Sequence, residues 1–350
     1  MNEEKAARYH RLRRQASIAG TAAGVVWLSV LSATRWGSTL PMPLFIAVIA
    51  IGWELLSFPF TFYRSFLLER KYGLSSESTR TWFVDHAKAV GLGLLLSELA
   101  GIVVLLAMRE AGAAWWAVAT VVFALAAVLI SQLAPVLLMP LFYRFKPLTR
   151  DALRERLLTL SGRAQVPVLG VFEWGLGEKT TRANAALVGV GGTRRILVSD
   201  TLLKDYSEDE IEVILAHEIA HHVHQDMWTG LALETGVMAA ALWGADMILR
   251  RSGYTVDASA LPLLALAAGV ISFLLSPLGN GWSRHNERRA DRFALDLTQR
   301  PLAFISAMRR LGSQNLAEER PSPLVLWFFH THPTIEQRIA AARDYSESST

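Results

Sequence analysis

His217, Glu218 and His221 stand together in the stretch Leu215-Ala216-His217-Glu218-Ile219-Ala220-His221-His222. On a helix, residues four apart lie on one face, so His217 and His221 point the same way one turn apart. Two imidazoles at that separation can reach one Zn2+. Glu218 lies roughly 100° around the helix, where it can work on a water without ligating the metal itself. The spacing therefore specifies hydrolytic metal chemistry, provided that a third ligand exists, because catalytic zinc usually takes three protein ligands and leaves a position open.

His224 continues the line of the two histidines, but it lies about 10.5 Å of helical rise beyond His217 and cannot share a metal with both. A role in solvent or in support of the site suits it better. His222 faces elsewhere and suits packing or a hydrogen bond. The better source of a third ligand is Ser283-Arg284-His285-Asn286-Glu287-Arg288-Arg289-Ala290-Asp291. Glu287 and Asp291 sit one turn apart on one face, which allows one carboxylate to ligate and the other to hold a ligating histidine by its second ring nitrogen. An ordinary charged surface helix is the competing reading.

The elements that must position these residues follow from composition. Of 350 residues, 52% are hydrophobic and only 19% are charged, against about 25% in ordinary soluble domains. Mean hydropathy is +0.28 and the sequence pI about 9.5. The apolar excess lies in long runs: 18–33, 42–62, 87–108, 113–138, 228–249 and 261–278, six predicted membrane spans. Basic residues gather at the N-terminus, in the 63–86 loop, and at Arg144, Lys146 and Arg150, so that side is expected to be cytoplasmic. The net charge of +4 reads as membrane-anchoring charge, and nucleic acid is not an expected partner. The absence of cysteine excludes disulfides, thiolate ligands and a cysteine nucleophile.

This divides the chain into residues 1–142 with four spans, 143–227 as the first soluble half carrying the His217 helix, 228–279 with two further spans, and 280–350 as the second half. In the first soluble block, 166–174, 183–190 and 195–198 read as strands, with Gly191 and Gly192 marking a hairpin. Ser207, with Glu210 three residues on, caps the helix that carries His217. Six spans return the chain to one side, which brings both soluble halves together. The fold class is thus a mainly α, polytopic membrane protein of about six or seven spans, with a cytoplasmic zincin-like domain carrying a small β-sheet. Glu54, Glu98, Glu234 and Asp246 lie inside spans, where they must face protein or a polar cavity.

With these blocks placed, the sequence resembles the integral-membrane zinc metalloproteases of the type I CAAX prenyl protease family, and more distantly the HtpX-type quality-control proteases. The resemblance is carried by Glu69-Arg70-Lys71-Tyr72-Gly73-Leu74, Pro140-Leu141-Phe142, Asn184-Ala185 with Asp200-Thr201-Leu202-Leu203, the His217 motif, Arg284-x-x-Glu287-x-x-Ala290-Asp291, and His332-Pro333 followed by Arg338. It implies one zinc per chain on His217, His221 and Glu287, with Glu218 as catalytic acid/base and Asp291 supporting a ligand. It also implies that Asn184 and Ala185 lie on the strand that pairs with an extended substrate, and that His332 and Arg338 line the cleft near the scissile carbonyl. His330 competes with His332 for that place, and Pro333 favours His332 because it restricts the preceding backbone. The implied partners are a peptide or protein substrate, lipidated in the CAAX case, and membrane lipid. The implied location is the inner membrane of a bacterium or the endoplasmic reticulum of a eukaryote. Ala186 departs from the aromatic residue common at that place in the CAAX enzymes, and six spans depart from their seven. A quality-control protease and a catalytically silent scaffold or chaperone are the rival expectations.

Overall fold

The computed structural model describes residues 2–254 and 257–348; the outermost ends of the chain lie outside them. The membrane region begins with α1 (Asn2–Thr34) and α2 (Met42–Phe62). A π-helical turn, Tyr63–Leu67, carries α2 onward into α3 (Leu68–Lys71). Next come α4 (Thr79–Ala111) and α5 (Trp115–Leu133), the latter continued by a π-helical turn, Ala134–Leu138, into α6 (Met139–Phe142). Among the described residues, five helical stretches are long and apolar enough to cross a bilayer, and the third runs over 64 residues, Thr79–Phe142. A straight helix of that length would be roughly 96 Å long, far beyond a bilayer core of about 30 Å. It turns back at Gly112, whose φ of 52° suits a residue without Cβ, and α4 packs against α5. With that stretch divided into α4 and α5, the described residues form the six long apolar helices expected from the sequence.

The first helix is longer than its apolar run. It continues back through the basic segment, where Tyr9 is fully buried, donates to Glu69 and accepts from Arg182 at 2.8 Å. The helices pack closely at the end that carries the turns after α1 and α4, where Leu31, Phe45, Trp115, Leu242, Leu249 and Leu261 form one apolar core. Elsewhere they present leucines and valines outward, such as Val26, Leu55, Leu125 and Leu274, as a lipid solvent requires. The ionisable residues in the spans serve separate local arrangements. Glu54 meets His86 at 2.9 Å, Asp246 accepts from Trp115 at 2.6 Å and from Arg250 at 2.7 Å, and Glu234 lines a small cavity of about 240 Å³.

The soluble part starts with β1 (Phe145–Pro147) and α7 (Asp151–Arg163), then β2 (Val171–Trp174), β3 (Ala185–Val188) and β4 (Arg195–Ser199). The sheet order is β1-β2-β4-β3, with β2 parallel to β4 and β3 antiparallel to it. β3 is thus an edge strand. The strand expected from residue 166 begins only at Val171, because Pro167 and a left-handed Gln165, φ 57°, keep the preceding stretch irregular. β1 was not expected: three residues including Lys146 and Pro147 carry no strand pattern.

After β4 come α8 (Asp200–Asp205), α9 (Glu208–Val223), α10 (Asp226–Arg251), α11 (Leu261–Thr298), α12 (Pro301–Gln314), α13 (Pro323–Phe329) and α14 (Ile335–Ser348). α9 has the expected capping box: Ser207 accepts from the Glu210 N–H at 3.3 Å, and Glu210 accepts from the Ser207 N–H at 2.8 Å. Ile211, Val213, Leu215, Ala216 and Ile219 of α9 are all fully buried in the core formed with α7, the sheet and α12. α11 is 38 residues long, about 57 Å. It crosses the apolar layer and continues into the soluble part, where its fully buried Ala290 and Ala294 accompany its packing against α9.

Candidate active site

α9 and the soluble end of α11 bring the separated motifs together. His217 Nε2 lies 3.2 Å from Glu287 Oε2, and His221 Nε2 lies 3.5 Å from Glu287 Oε1. One ligand atom from each of the three residues lies within 4.8 Å of the others. Nitrogen, nitrogen and carboxylate oxygen form a metal-ligand set. Glu287 Oε2 is buried and makes no well-aligned hydrogen bond, although His217 Nε2 and His332 Nδ1 lie 3.2 Å and 2.9 Å from it, so a cation between the three residues would complete its coordination. The residues present therefore fit a metal.

The outer nitrogens are held as firmly. His217 Nδ1 lies 2.8 Å from Asp291 Oδ1, and His221 Nδ1 lies 2.8 Å from Asp226 Oδ2. Each carboxylate turns its histidine so that Nε2 faces the shared centre. Asp291 was expected in this role and Asp226 was not. Asp226 opens α10 directly after Gln225, whose left-handed φ of 56° ends α9 and swings the next residue back toward His221. The only signal in sequence is an acidic residue just before an apolar run, as at many helix starts.

Arg338 is buried behind this pair. It donates to Asp291 from Nε at 2.8 Å and from Nη2 at 2.5 Å, while also lining the cavity in front of the site. Two of its guanidinium nitrogens are thus engaged by Asp291, while the side chain borders the same cavity as Glu218 and His332. His332 Nδ1 lies 2.9 Å from Glu287 Oε2, and its side chain is 62% exposed, so it stands at the open face. His330 turns away, with Nε2 3.3 Å from Glu318, and its carbonyl accepts from Arg284 at 2.6 Å. His222 hydrogen-bonds the Leu187 carbonyl at 2.8 Å, and His224 packs edge-on against Phe293.

The electrostatics follow from burial and pairing. Burial and the Arg338 charge oppose protonation of His217, but Asp291 and Glu287 beside it prevail and lift its pKa to about 9. Burial raises the Glu287 carboxyl, yet His217 and His332 next to it hold it well below the usual carboxylate range. Burial lifts the Glu218 carboxyl above its ordinary range, against the pull of the two histidines. Glu218, His217, Glu287 and His332 open on a cavity of about 620 Å³ that also takes in Asn184 and Ala185. β3 thus lies alongside the reacting groups with one edge unpaired.

A buried His-His-Glu group, a carboxylate in a cleft and an edge strand, carried on helices that cross a bilayer, define a membrane-embedded metallopeptidase. The chain belongs to Peptidase family M48, which matches residues 147–346. Residues 14–144 match a second family, described as CAAX prenyl protease N-terminal, five membrane helices. Among similar proteins is the Bacillus subtilis "Uncharacterized metalloprotease YhfN", 28% identical over 85% of this chain and 72% of the relative. The "Probable CAAX prenyl protease 1" of Schizosaccharomyces pombe is 27% identical over 84% of this chain and 63% of its own length. The crystal structure of S. mikatae Ste24p superposes with a TM-score of 0.82 at 21% identity, covering 97% of this chain and 88% of that one. The chain is accordingly a multi-pass membrane metalloprotease that acts on a peptide or protein.

Proposed function

We propose that this protein is a zinc endopeptidase that cuts near the C-terminus of lipidated, CAAX-type proteins, with its catalytic face toward the cytoplasm. The observation that carries the zinc assignment is Glu287 set between His217 Nε2 and His221 Nε2, at 3.2 Å and 3.5 Å. Relatives named as CAAX prenyl proteases support the substrate class, and the basic residues gathered on the peptidase side support the orientation.

Zinc held by His217, His221 and Glu287 supplies Lewis acidity to the scissile carbonyl and to the attacking water. Glu218 takes the water's proton at its carboxylate and passes it to the leaving nitrogen. Burial raises its affinity for that proton, which suits a group that must hold it between the two transfers. His332, at the open face, donates to the carbonyl oxygen as negative charge develops there. Asp291 and Asp226 keep His217 and His221 in one orientation, and Arg338 keeps Asp291 in place. The outward edge of β3 at Ala185 binds extended peptide through main-chain hydrogen bonds.

The test offers a farnesylated CAAX peptide and an unfolded membrane protein to the wild-type chain and to Glu218→Gln. The expected result is cleavage of the peptide by wild type and a loss of about 10²–10⁴-fold in the variant, with stoichiometric zinc retained in both. Cleavage of the unfolded protein alone would replace this reading with quality control. Equal turnover by Glu218→Gln, or purified protein without zinc, would overturn it.

A further inference from the structure

Two arginines on the cavity wall take no part in the chemistry above. The catalytic cavity continues past Asn184 into a second one of about 730 Å³, and Arg13, Arg64, Ala183, Asn184 and Asn315 line both. Arg13 comes from α1 and Arg64 from the π-helical turn after α2. Neighbouring cations are spoken for: Arg14 pairs with Glu318 at 3.0 Å, Arg182 with Glu69 at 2.8 Å, and Lys179 with Asp85. Among the described residues, Arg13 and Arg64 have no ion-pair or hydrogen-bond partner. Glu77 also lines the second cavity, so the excess of positive charge is confined to the boundary between the two.

The edge strand gives the direction in which a peptide would arrive there. The Ser199 N–H donates to the Asn184 carbonyl at 3.0 Å, so in this antiparallel pair Asn184, Ala186 and Val188 turn their main chain toward β4, and Ala185 and Leu187 turn theirs outward. His222 occupies the Leu187 carbonyl, which closes the edge at its far end and leaves the groups of Ala185 and the Leu187 N–H open. Beyond that closed end lies a cavity of mixed lining, with Pro135, Met227 and Trp228 at the ends of membrane helices beside Arg194, His222 and Gln225. A peptide added antiparallel to β3, the commoner pairing, runs with its C-terminus toward Asn184 and its N-terminal part toward this far end. About three residues of extended chain beyond the cut span roughly 10 Å, and the arginines are the cations on that path.

We propose that Arg13 and Arg64 bind the free C-terminal carboxylate of the peptide and so confine cleavage to bonds close to a chain end. This rests on the C-terminal processing reading given above. A guanidinium pair suits a carboxylate because it offers charge-assisted, bidentate hydrogen bonds in fixed geometry.

The test uses the full chain in nanodiscs of zwitterionic lipid. A farnesylated peptide and its unlipidated counterpart are each made as the C-terminal acid and as the C-terminal amide. Wild type is expected to cleave each acid about tenfold or more faster than its amide in kcat/KM, the scale of one charged hydrogen bond. Arg13→Gln with Arg64→Gln is expected to bring the acid down to the amide's rate, while Arg13→Lys with Arg64→Lys keeps a preference for the acid. Equal rates for acid and amide in wild type, or an undiminished preference in the glutamine variant, overturns the proposal. An acid preference on the unlipidated pair with no cleavage of the farnesylated pair leaves the carboxylate site standing and removes the lipidated-substrate reading.

Discussion

Asp226 and Asp291 do the same work for different histidines, yet their loss should not be equivalent. Asp226 holds only His221 Nδ1, at 2.8 Å, and one of its oxygens has no partner. Replacing it with alanine frees one ring to rotate, so Asp226→Ala should weaken metal affinity about 10–100-fold, read by competition with a chelator, and leave the metal-free fold nearly as stable. Asp291 carries both His217 and the buried Arg338 guanidinium. Asp291→Ala should therefore weaken metal binding and also cost about 3–5 kcal/mol in the metal-free protein, because a buried charge loses its partner. Thermal unfolding with the metal removed separates the two; equal melting temperatures would contradict the role given to Arg338. The difference in legibility has the same origin. Asp291 falls on the helical repeat from Glu287, which sequence displays directly. Asp226 reaches His221 only because Gln225 takes a left-handed conformation, which glutamine rarely adopts and which no spacing rule announces.

At the scale of elements, the apolar runs were legible because a bilayer demands unbroken hydrophobic length, and α9 because its capping box and buried face agree. The short strands were less so: Phe145–Pro147 carries neither alternation nor β-branched residues and depends on pairing with β2. What sequence hides entirely is how apolar helices choose partners. In α1 and α2 the answer is reciprocal: the Trp53 ring lies over Gly24 and the Trp27 ring over Gly52, so a Cβ at either glycine would overlap an indole. Trp27 is also fixed by donation from Nε1 to the Ile49 carbonyl at 3.2 Å. Close approach at small residues is how helices associate where lipid is as apolar as leucine. Gly52→Ala should cost about 1–3 kcal/mol through overpacking. Gly91→Ala, in α4 where nothing lies within 4 Å of an added Cβ, should leave stability unchanged or raise it by up to about 1 kcal/mol. Detergent-resistance or thermal-shift curves of the two variants decide this, and a Gly52→Ala as stable as wild type would mean that the α1–α2 contact is not close-packed.

The whole molecule is a device for bringing distant chain together at one face of a bilayer. Arg14 near the start of the chain bonds Glu318 near its end, and the polar cluster of Tyr9, Glu69 and Arg182 ties α1 and α3 to the approach to β3. α10 and α11 leave and return, so His221 at one end of this excursion and Glu287 at the other meet without any local sequence relation. That closure was legible in outline, since an even number of spans returns the chain to the side it left. Which side this is follows from charge: the turn at Gly112 should lie outside and the sheet inside. The chain contains no cysteine, so a single introduced thiol reports without background. Glu110 beside that turn is 73% exposed, and Glu178 in the soluble part is 72% exposed. In intact cells a membrane-impermeant maleimide should label Glu110→Cys and spare Glu178→Cys, and permeabilisation should expose the second. Labelling of Glu178→Cys alone in intact cells would invert the topology. Such an inversion would place the arginines of the N-terminal segment and the 63–86 loop outside, against the positive-inside bias, and would remove cytoplasmic lipidated proteins from reach of the His217–His221–Glu287 centre.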